Sequence, residues 1–406
     1  MTRGRVRMKE FKYLLGGFFL SEFGRAMYFV TVSWLLYEIT SDAYFTGLLL
    51  GLGFLPGLVL NLFLGVFVDR FNRKKLTIIA NIISSISIVL LLVYIAIFDR
   101  NPWVIIIVHM VLQVCGSLFR PAIQAFMAES FEKKFLPKIF SQTSSTGIIG
   151  GLVGALFGGI LISIISAGTT LVIVAVSLVI SAILLLKIES KKNRSICKEG
   201  SSIRKEIVEG FQYVKRNKFL LGLFVIMFTG QLVYHSSLGF LSVYTVTYLM
   251  KSASIYGLLD ATISVGGIFA GFLGAWWWSI AKQHFAICSL VIIVVGLLLV
   301  GLTPILPFAF CGVFLIGVGT TWIRVLLQSL QQMATEPEYH GRMASFRMIG
   351  NQGAVVLAAP ILGWVASNYG ADYIYLCLLI PVSVCVIFAV YQAKGKEFIE
   401  MIRNAA

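Results

Sequence analysis

The octapeptide Phe119-Arg120-Pro121-Ala122-Ile123-Gln124-Ala125-Phe126 returns, shifted from position 119 to position 323, as Ile323-Arg324-Val325-Leu326-Leu327-Gln328-Ser329-Leu330. Arg120 falls on Arg324 and Gln124 on Gln328, and the same shift sets Lys138 on Arg342 and Ser141 on Ser345. Matches between apolar residues arise by chance. An arginine inside an apolar run does not recur so cheaply, because a charge at the centre of a bilayer-spanning helix costs roughly 2.5–3.5 kcal/mol. The echo predicts a chain built as two parallel halves of one helical design.

Everything around the echo is apolar. The 406 residues are 58% hydrophobic and 13% charged, with a mean hydropathy of +0.90; that is the composition of a chain solvated by lipid. Leu76–Phe98, Trp103–Gly116, Leu171–Leu186 and Phe285–Leu302 are nearly charge-free. Each approaches the roughly 20 residues with which a helix crosses about 30 Å of hydrocarbon. The alternation of a β-barrel strand is missing.

Turn residues and charges interrupt the apolar runs at Thr40–Asp42, Asp69–Lys75, Asp99–Pro102, Glu129–Lys138, Ala167–Thr169, Lys187–Lys218, Lys251–Ser254, Ala281–His284, Thr303–Pro307, Thr335–Arg342 and Ser367–Asp372. These breaks predict an all-α polytopic membrane protein of twelve transmembrane helices in two six-helix bundles, 1–188 and 218–406. The linker, 189–217, places Ile203, Ile207, Phe211 and Val214 at helical spacing, as an amphipathic helix at the membrane surface would. Phe11–Tyr37 is longer than a signal-peptide core and lacks a small-residue cleavage site, so it is expected to remain as the first span.

A net charge of +15 suggests nucleic acid only while its location is ignored. With the N-terminus inside, the 33 basic residues gather on the arms and loops of one side, except Arg100 and Lys251 opposite and Arg25, Arg120, Arg324 and Arg347 inside spans. The positive-inside rule then puts both termini in the cytoplasm of a bacterial cell and the basic loops against anionic lipid, with no nucleic acid partner. Five cysteines lie in spans and Cys197 in the linker, with no CxxC pair, so free thiols are expected and neither a metal site nor a cofactor.

The loop after the second helix reads Gly65-Val-Phe-Val-Asp69-Arg70-Phe-Asn72-Arg73-Lys74-Lys75. Here the chain resembles the major facilitator superfamily, whose signature is a Gly, Asp-Arg, then Gly-Arg-Arg/Lys. It matches at Gly65, Asp69, Arg70, Arg73 and Lys74 and departs at Asn72, a mild departure because Asn tolerates the left-handed turn a Gly would supply. A carboxylate among guanidinium groups at a helix end can lock neighbouring helices in one state, and a basic loop that only sets topology is the alternative. The matching loop of the second half, Gly274 to Lys282, lacks the Asp-Arg pair, so any lock is asymmetric. Gly150, Gly154, Gly158 and Gly159 in the fifth helix resemble the antiporter motif of drug exporters, with Ala155 where that motif carries Pro; tight helix packing is the competing reading. Together with Gly53–Pro56 and Glu209-Gly210-Phe211, these motifs resemble the branch of macrolide-efflux and siderophore-export proteins.

Charges at membrane depth need a reason. Glu22 and Arg25 lie three residues apart in the first helix, close enough to pair. Glu22 is a candidate for binding a proton or a cationic substrate with Arg25 tuning it; a structural ion pair is the alternative. Asp260 is a candidate outer proton acceptor or a helix-start carboxylate. Arg120 and Arg324 would bind an anionic substrate or close an inner gate through backbone carbonyls. His109 and His235 are expected to pack, while Gln113, Gln124, Gln231, Asn351 and Gln352 line a path or bond helices together. Tyr28, Phe29, Trp34, Trp276–Trp278 and Trp322 offer aromatic surface to a bulky ligand or mark the interfacial belt.

The resemblance implies a secondary transporter driven by a proton gradient that exports a small amphipathic molecule and works as a monomer. An importer or lipid-flipping protein of the same fold is the second possibility. A membrane enzyme acting on lipid is the third, but no catalytic residue suggests itself: HExxH, a DxxD pair and a Walker A loop are all missing from the sequence.

Overall fold

A computed structural model describes residues 2–98, 100–131, 135–189, 211–336 and 339–395, without the side chains of 2–8, 61–70, 340 and 341. Twelve long helices account for most of them: α1 (Thr2–Thr40), α2 (Ala43–Arg70), α3 (Arg73–Ile97), α4 (Pro102–Ser130), α5 (Leu136–Ile164), α6 (Ala167–Leu186), α7 (Lys218–Gly239), α8 (Ala253–Ala281), α9 (Phe285–Leu302), α10 (Leu306–Met333), α11 (His340–Tyr369) and α12 (Asp372–Ala393). All but α1 contain or form a stretch long and apolar enough to cross a membrane, α8 and α9 together as one stretch, Ala253–Leu302. α1 carries Glu22 and Arg25 in its middle, and that pair lowers its hydropathy.

Local chemistry sets the helix starts. Side chains of Asn72, Asn101, Ser166 and Asn217 accept backbone N–H bonds at the first turns of α3, α4, α6 and α7, which satisfies amides that would otherwise lie bare. At Asn72 the left-handed turn that Asn tolerates is not used: its backbone is extended, φ −65° and ψ 110°, and its side chain serves as a cap. The left-handed position in this class of loop belongs instead to Lys282, φ 43°, between α8 and α9.

The two halves are built alike. α4 begins at Pro102 and α10 at Leu306, and α5 begins at Leu136 and α11 at His340, so both pairs keep the shift seen in the octapeptides. Helix pairing repeats as well. In the first half α1 packs on α4, α5 and α6, and α3 on α4 and α6; in the second, α7 packs on α10, α11 and α12, and α9 on α10 and α12.

Two compact units contain these pairings, and each takes the end of one helix from the other half of the sequence. The first holds the chain to Ser41, the stretch from Leu52 through α6, and Ser252–Leu258 at the start of α8; the second holds Asp42–Gly51 at the start of α2, α7 onward to Lys251, and the rest from Leu259. Of the expected amphipathic linker helix, Ile203 and Ile207 lie outside the described residues. Residues 211–216 are helical, and Tyr213 stacks on Tyr339 with ring centroids 4.2 Å apart.

Candidate functional site

α1 is the axis of the first unit, and glycines bring its neighbours close. On α5, a Cβ at Gly150 would stand 2.9 Å from the Phe19 carbonyl oxygen, one at Gly154 would collide with the Phe23 backbone, and one at Gly158 would crowd Met27 and Val30. The spacing of four on both helices makes this a continuous backbone-to-backbone contact. Gly17 and Gly24 of α1 make room in turn for the side chains of Leu185 and Ser177 of α6. Gly159 points elsewhere, to the backbone of Ala253 and Gly257. The four motif glycines thus split between two partners.

Clearance at Gly150 leaves room for the Glu22 side chain, whose Cβ lies 3.4 Å from where a Gly150 Cβ would be. Glu22 does not pair with Arg25, contrary to the sequence expectation. Its Oε2 accepts from Arg120 Nη2 of α4 at 3.2 Å, while its Oε1 is buried without a hydrogen-bond partner. Arg25 turns toward α3: its Nη2 donates to Asn81 Oδ1 at 3.1 Å and its Nε to Ser21 Oγ at 3.4 Å. The guanidinium carbon lies 4.8 Å from the centre of the Phe119 ring, a cation–π distance. Asn81 Nδ2 donates to Ser181 Oγ, whose own hydroxyl donates to the Gly17 carbonyl, so the network joins α1, α3 and α6. With its Nε on Ser21 of its own helix and its Nη2 on Asn81 of α3, the Arg25 guanidinium is held away from the Glu22 carboxylate, which bonds Arg120 instead.

Above Arg25 on α4, Gln113 and His109 continue the face that holds Arg120 and Gly116, at spacings of three and four. His109 stacks on Tyr28, centroids 5.8 Å apart and planes 12° apart, and lies against Phe29 and Gly53. Its Nε2 is 3.3 Å from Gln113 Nε2; its Nδ1 and the Tyr28 hydroxyl are buried without partners. His109 does pack, but with unsatisfied polar atoms.

At the loop between α2 and α3, Gly65, Asp69 and Arg70 lie in the last turns of α2 and their side chains are outside the described residues. Arg73 Nη1 bonds Glu129 Oε1 at the end of α4 at 2.6 Å, both groups about one-sixth exposed. Lys74 Nζ donates to the carbonyls of Leu186 and Ile188, which closes the C-terminal end of α6. The start of α3 is thereby tied to the ends of two other helices.

In the second unit Arg324 is exposed and lies 5.9 Å from the Tyr234 ring of α7. Among the described residues neither repeat arginine bonds a backbone carbonyl; each reaches the first helix of its own half, where a carboxylate or an aromatic face receives it. Arg347 donates to Gln331 Oε1 at 3.2 Å, and Gln331 in turn to Thr335. Asp260 is 7% exposed. The Asn351 Oδ1 is buried without a partner, and Gln124 is exposed. Trp277 stacks flat on Trp322, centroids 4.3 Å and planes 6° apart, with their indole N–H groups donating to Ser289 and Ala270.

Sequence reasoning missed Asn81, Glu129 and Gly116. Asn81 had a signal, as the only amide in the Leu76–Phe98 run. Gly116, where an added Cβ would stand 3.1 Å from Arg25 Nη1, had none.

Known proteins place this arrangement. Residues 14–277 match the model of the Major Facilitator Superfamily. Macrolide efflux protein A of Streptococcus pyogenes is 24% identical over 348 residues, 84% of each chain. The multidrug efflux pump Tap of Mycolicibacterium fortuitum is 23% identical over 401 residues, 92% of this chain and 93% of its own. The crystal structure of the nucleoside transporter NupG superposes with a TM-score of 0.77 at 13% identity, covering 95% of this chain and all of that one, a likeness of fold alone. With a matching model over more than half its length, relatives named for efflux and the fold of a transporter, the chain belongs to the major facilitator superfamily and resembles its macrolide-efflux branch.

Proposed function

We propose that this protein is a proton-coupled exporter of a small amphipathic molecule such as a macrolide, another drug or a siderophore. It works by alternating access in the bacterial cell membrane, as a monomer with both termini cytoplasmic. One observation carries the reading: in a helix with an apolar course, the Glu22 carboxylate is bonded to Arg120 through one oxygen and has its other oxygen buried and unpartnered. A proton taken up by Glu22 cancels its charge and breaks the pair. Arg120, 68% exposed, then moves freely. A one-proton switch between α1 and α4 is what coupling requires, because it gives two arrangements whose balance a gradient can bias.

Two further features support movement between states. Gly47 meets Ala359 and Gly363 inside the second unit, and Gly159 meets Ala253 and Gly257 inside the first; contacts between bare backbones separate without unpacking large side chains. Both lie away from the basic loops, on the side the positive-inside rule makes external. On the inner side the Gly65–Lys74 loop serves as a lock through Arg73 and Glu129. The outward direction rests on the efflux relatives.

Everted membrane vesicles with erythromycin as the first probe test the coupling. Wild-type uptake should stop when nigericin dissipates the pH gradient, and Glu22→Gln should abolish gradient-driven uptake while downhill exchange persists. Undiminished gradient-driven uptake by Glu22→Gln removes Glu22 from the mechanism.

A further inference from the structure

Between α1 and α4 runs a polar seam with three levels. At one level stand Glu22 and Arg120. At the next the Arg25 guanidinium packs over Gly116. At the third, His109 bonds Gln113 and stacks on Tyr28. Buried polar atoms without protein partners occur on both sides of Arg25: Glu22 Oε1 on one, Tyr28 Oη and His109 Nδ1 on the other. Such atoms are where buried water is held. Six residues of helix, about 9 Å at 1.5 Å each, separate Glu22 from Tyr28. Two or three waters would bridge that span and carry protons past the substrate.

Arg25 stands in the way. Its position is fixed by Asn81, Ser21 and the Phe119 ring, and every one of these is neutral. The titratable groups acting on it are Glu22, Arg120 and the Cys115 thiol. Glu22, the one carboxylate among them, spends its bond on Arg120. Among the described residues no carboxylate bonds the Arg25 guanidinium, and a fixed guanidinium repels a hydrated proton strongly where water is scarce.

We infer that Arg25 is an electrostatic barrier that stops protons from running along the α1–α4 seam past Glu22, so that a proton reaches and leaves Glu22 only with the transport cycle. The inference rests on the proposal that Glu22 carries the proton. It assigns Arg25 a role in tightness of coupling, distinct from binding substrate.

The test needs no substrate. Purified protein in liposomes containing pyranine is given a potassium diffusion potential with valinomycin, and inward proton flux is read from the dye. Wild type should be tight. Arg25→Met and Arg25→Gln, the second keeping hydrogen bonds to Asn81 and Ser21 without the charge, should leak at least about tenfold faster, the factor that about 1.4 kcal/mol of barrier makes. Arg25→Lys should stay near wild type. Folding is checked by monodisperse elution and helical circular dichroism, and Arg25→Gln stands in if Arg25→Met fails it. A folded Arg25→Gln as tight as wild type, or an equal leak through Arg25→Lys, overturns the barrier. Adding Glu22→Gln to Arg25→Gln separates the two ideas: a leak that disappears places Glu22 on the proton's route, and a leak that persists leaves the barrier standing while refuting Glu22 as carrier.

Discussion

The first and second halves share a scaffold and differ in the chemistry mounted on it. The same helix pairs pack in each, at the same shift along the chain. Yet Arg120 meets a carboxylate on α1, and Arg324 meets the face of Tyr234 on α7. Near the α2–α3 and α8–α9 loops, an Arg73–Glu129 ion pair in one half contrasts with a flat Trp277–Trp322 stack in the other. Helix packing depends on small residues in register, and tolerates divergence of side chains that point away from the contact. Charge pairs can be opened by a single proton, whereas stacked rings cannot. On the function proposed above, the difference puts the ion pair that a proton opens in the first half.

Exchanging the acids and rings should expose this division most strongly in transport. Glu22→Gln should eliminate gradient-driven uptake, whereas Tyr234→Phe, which keeps the ring beneath Arg324, should leave it within about twofold of wild type; equal losses would end the distinction. Next in size is the α1–α5 contact. Gly154→Val drives a side chain into the Phe23 backbone and should cost about 3 kcal/mol, read as a lower thermal midpoint in detergent. Gly151→Val on the same helix, where an added Cβ meets nothing within 4 Å, should be near neutral.

Smaller effects belong to the loops. Glu129→Gln should cost about 1–2 kcal/mol, since both partners are mostly buried but still touched by solvent. Trp277→Phe in the second half should cost about 1 kcal/mol with no pH dependence. Asn72→Ala, which removes only the cap on Lys75 N–H, should also cost about 1 kcal/mol and leave transport intact.

Much of the scaffold was legible because its signals were costly or periodic. A recurring intramembrane arginine has few innocent explanations, and glycines at spacing four point to one helix face whatever lies opposite. Partners were harder. Glu22 and Arg25 looked like a pair because three residues on a helix bring side chains together, but Arg120 and Asn81 come from helices about 60 to 100 positions away. Spacing along one helix says nothing of acceptors on another. Asn72 shows the same limit at small scale: the substitution for Gly was visible, but a side chain that caps the next helix made the left-handed turn unnecessary. In the second half, the loss of Asp-Arg from the Gly274–Lys282 loop was plain, while the tryptophan stack that stands nearby required the fold.

Spin-label distances within each half, taken as a function of pH without substrate, test the central claim most directly. One label pair reports the separation of α1 and α4 and a second that of α7 and α10. The account predicts that lowering the pH shifts the α1–α4 distribution in wild type and not in Glu22→Gln, while the α7–α10 distribution stays put in both. A shift of similar size in the two halves, or an α1–α4 shift that survives Glu22→Gln, would contradict it.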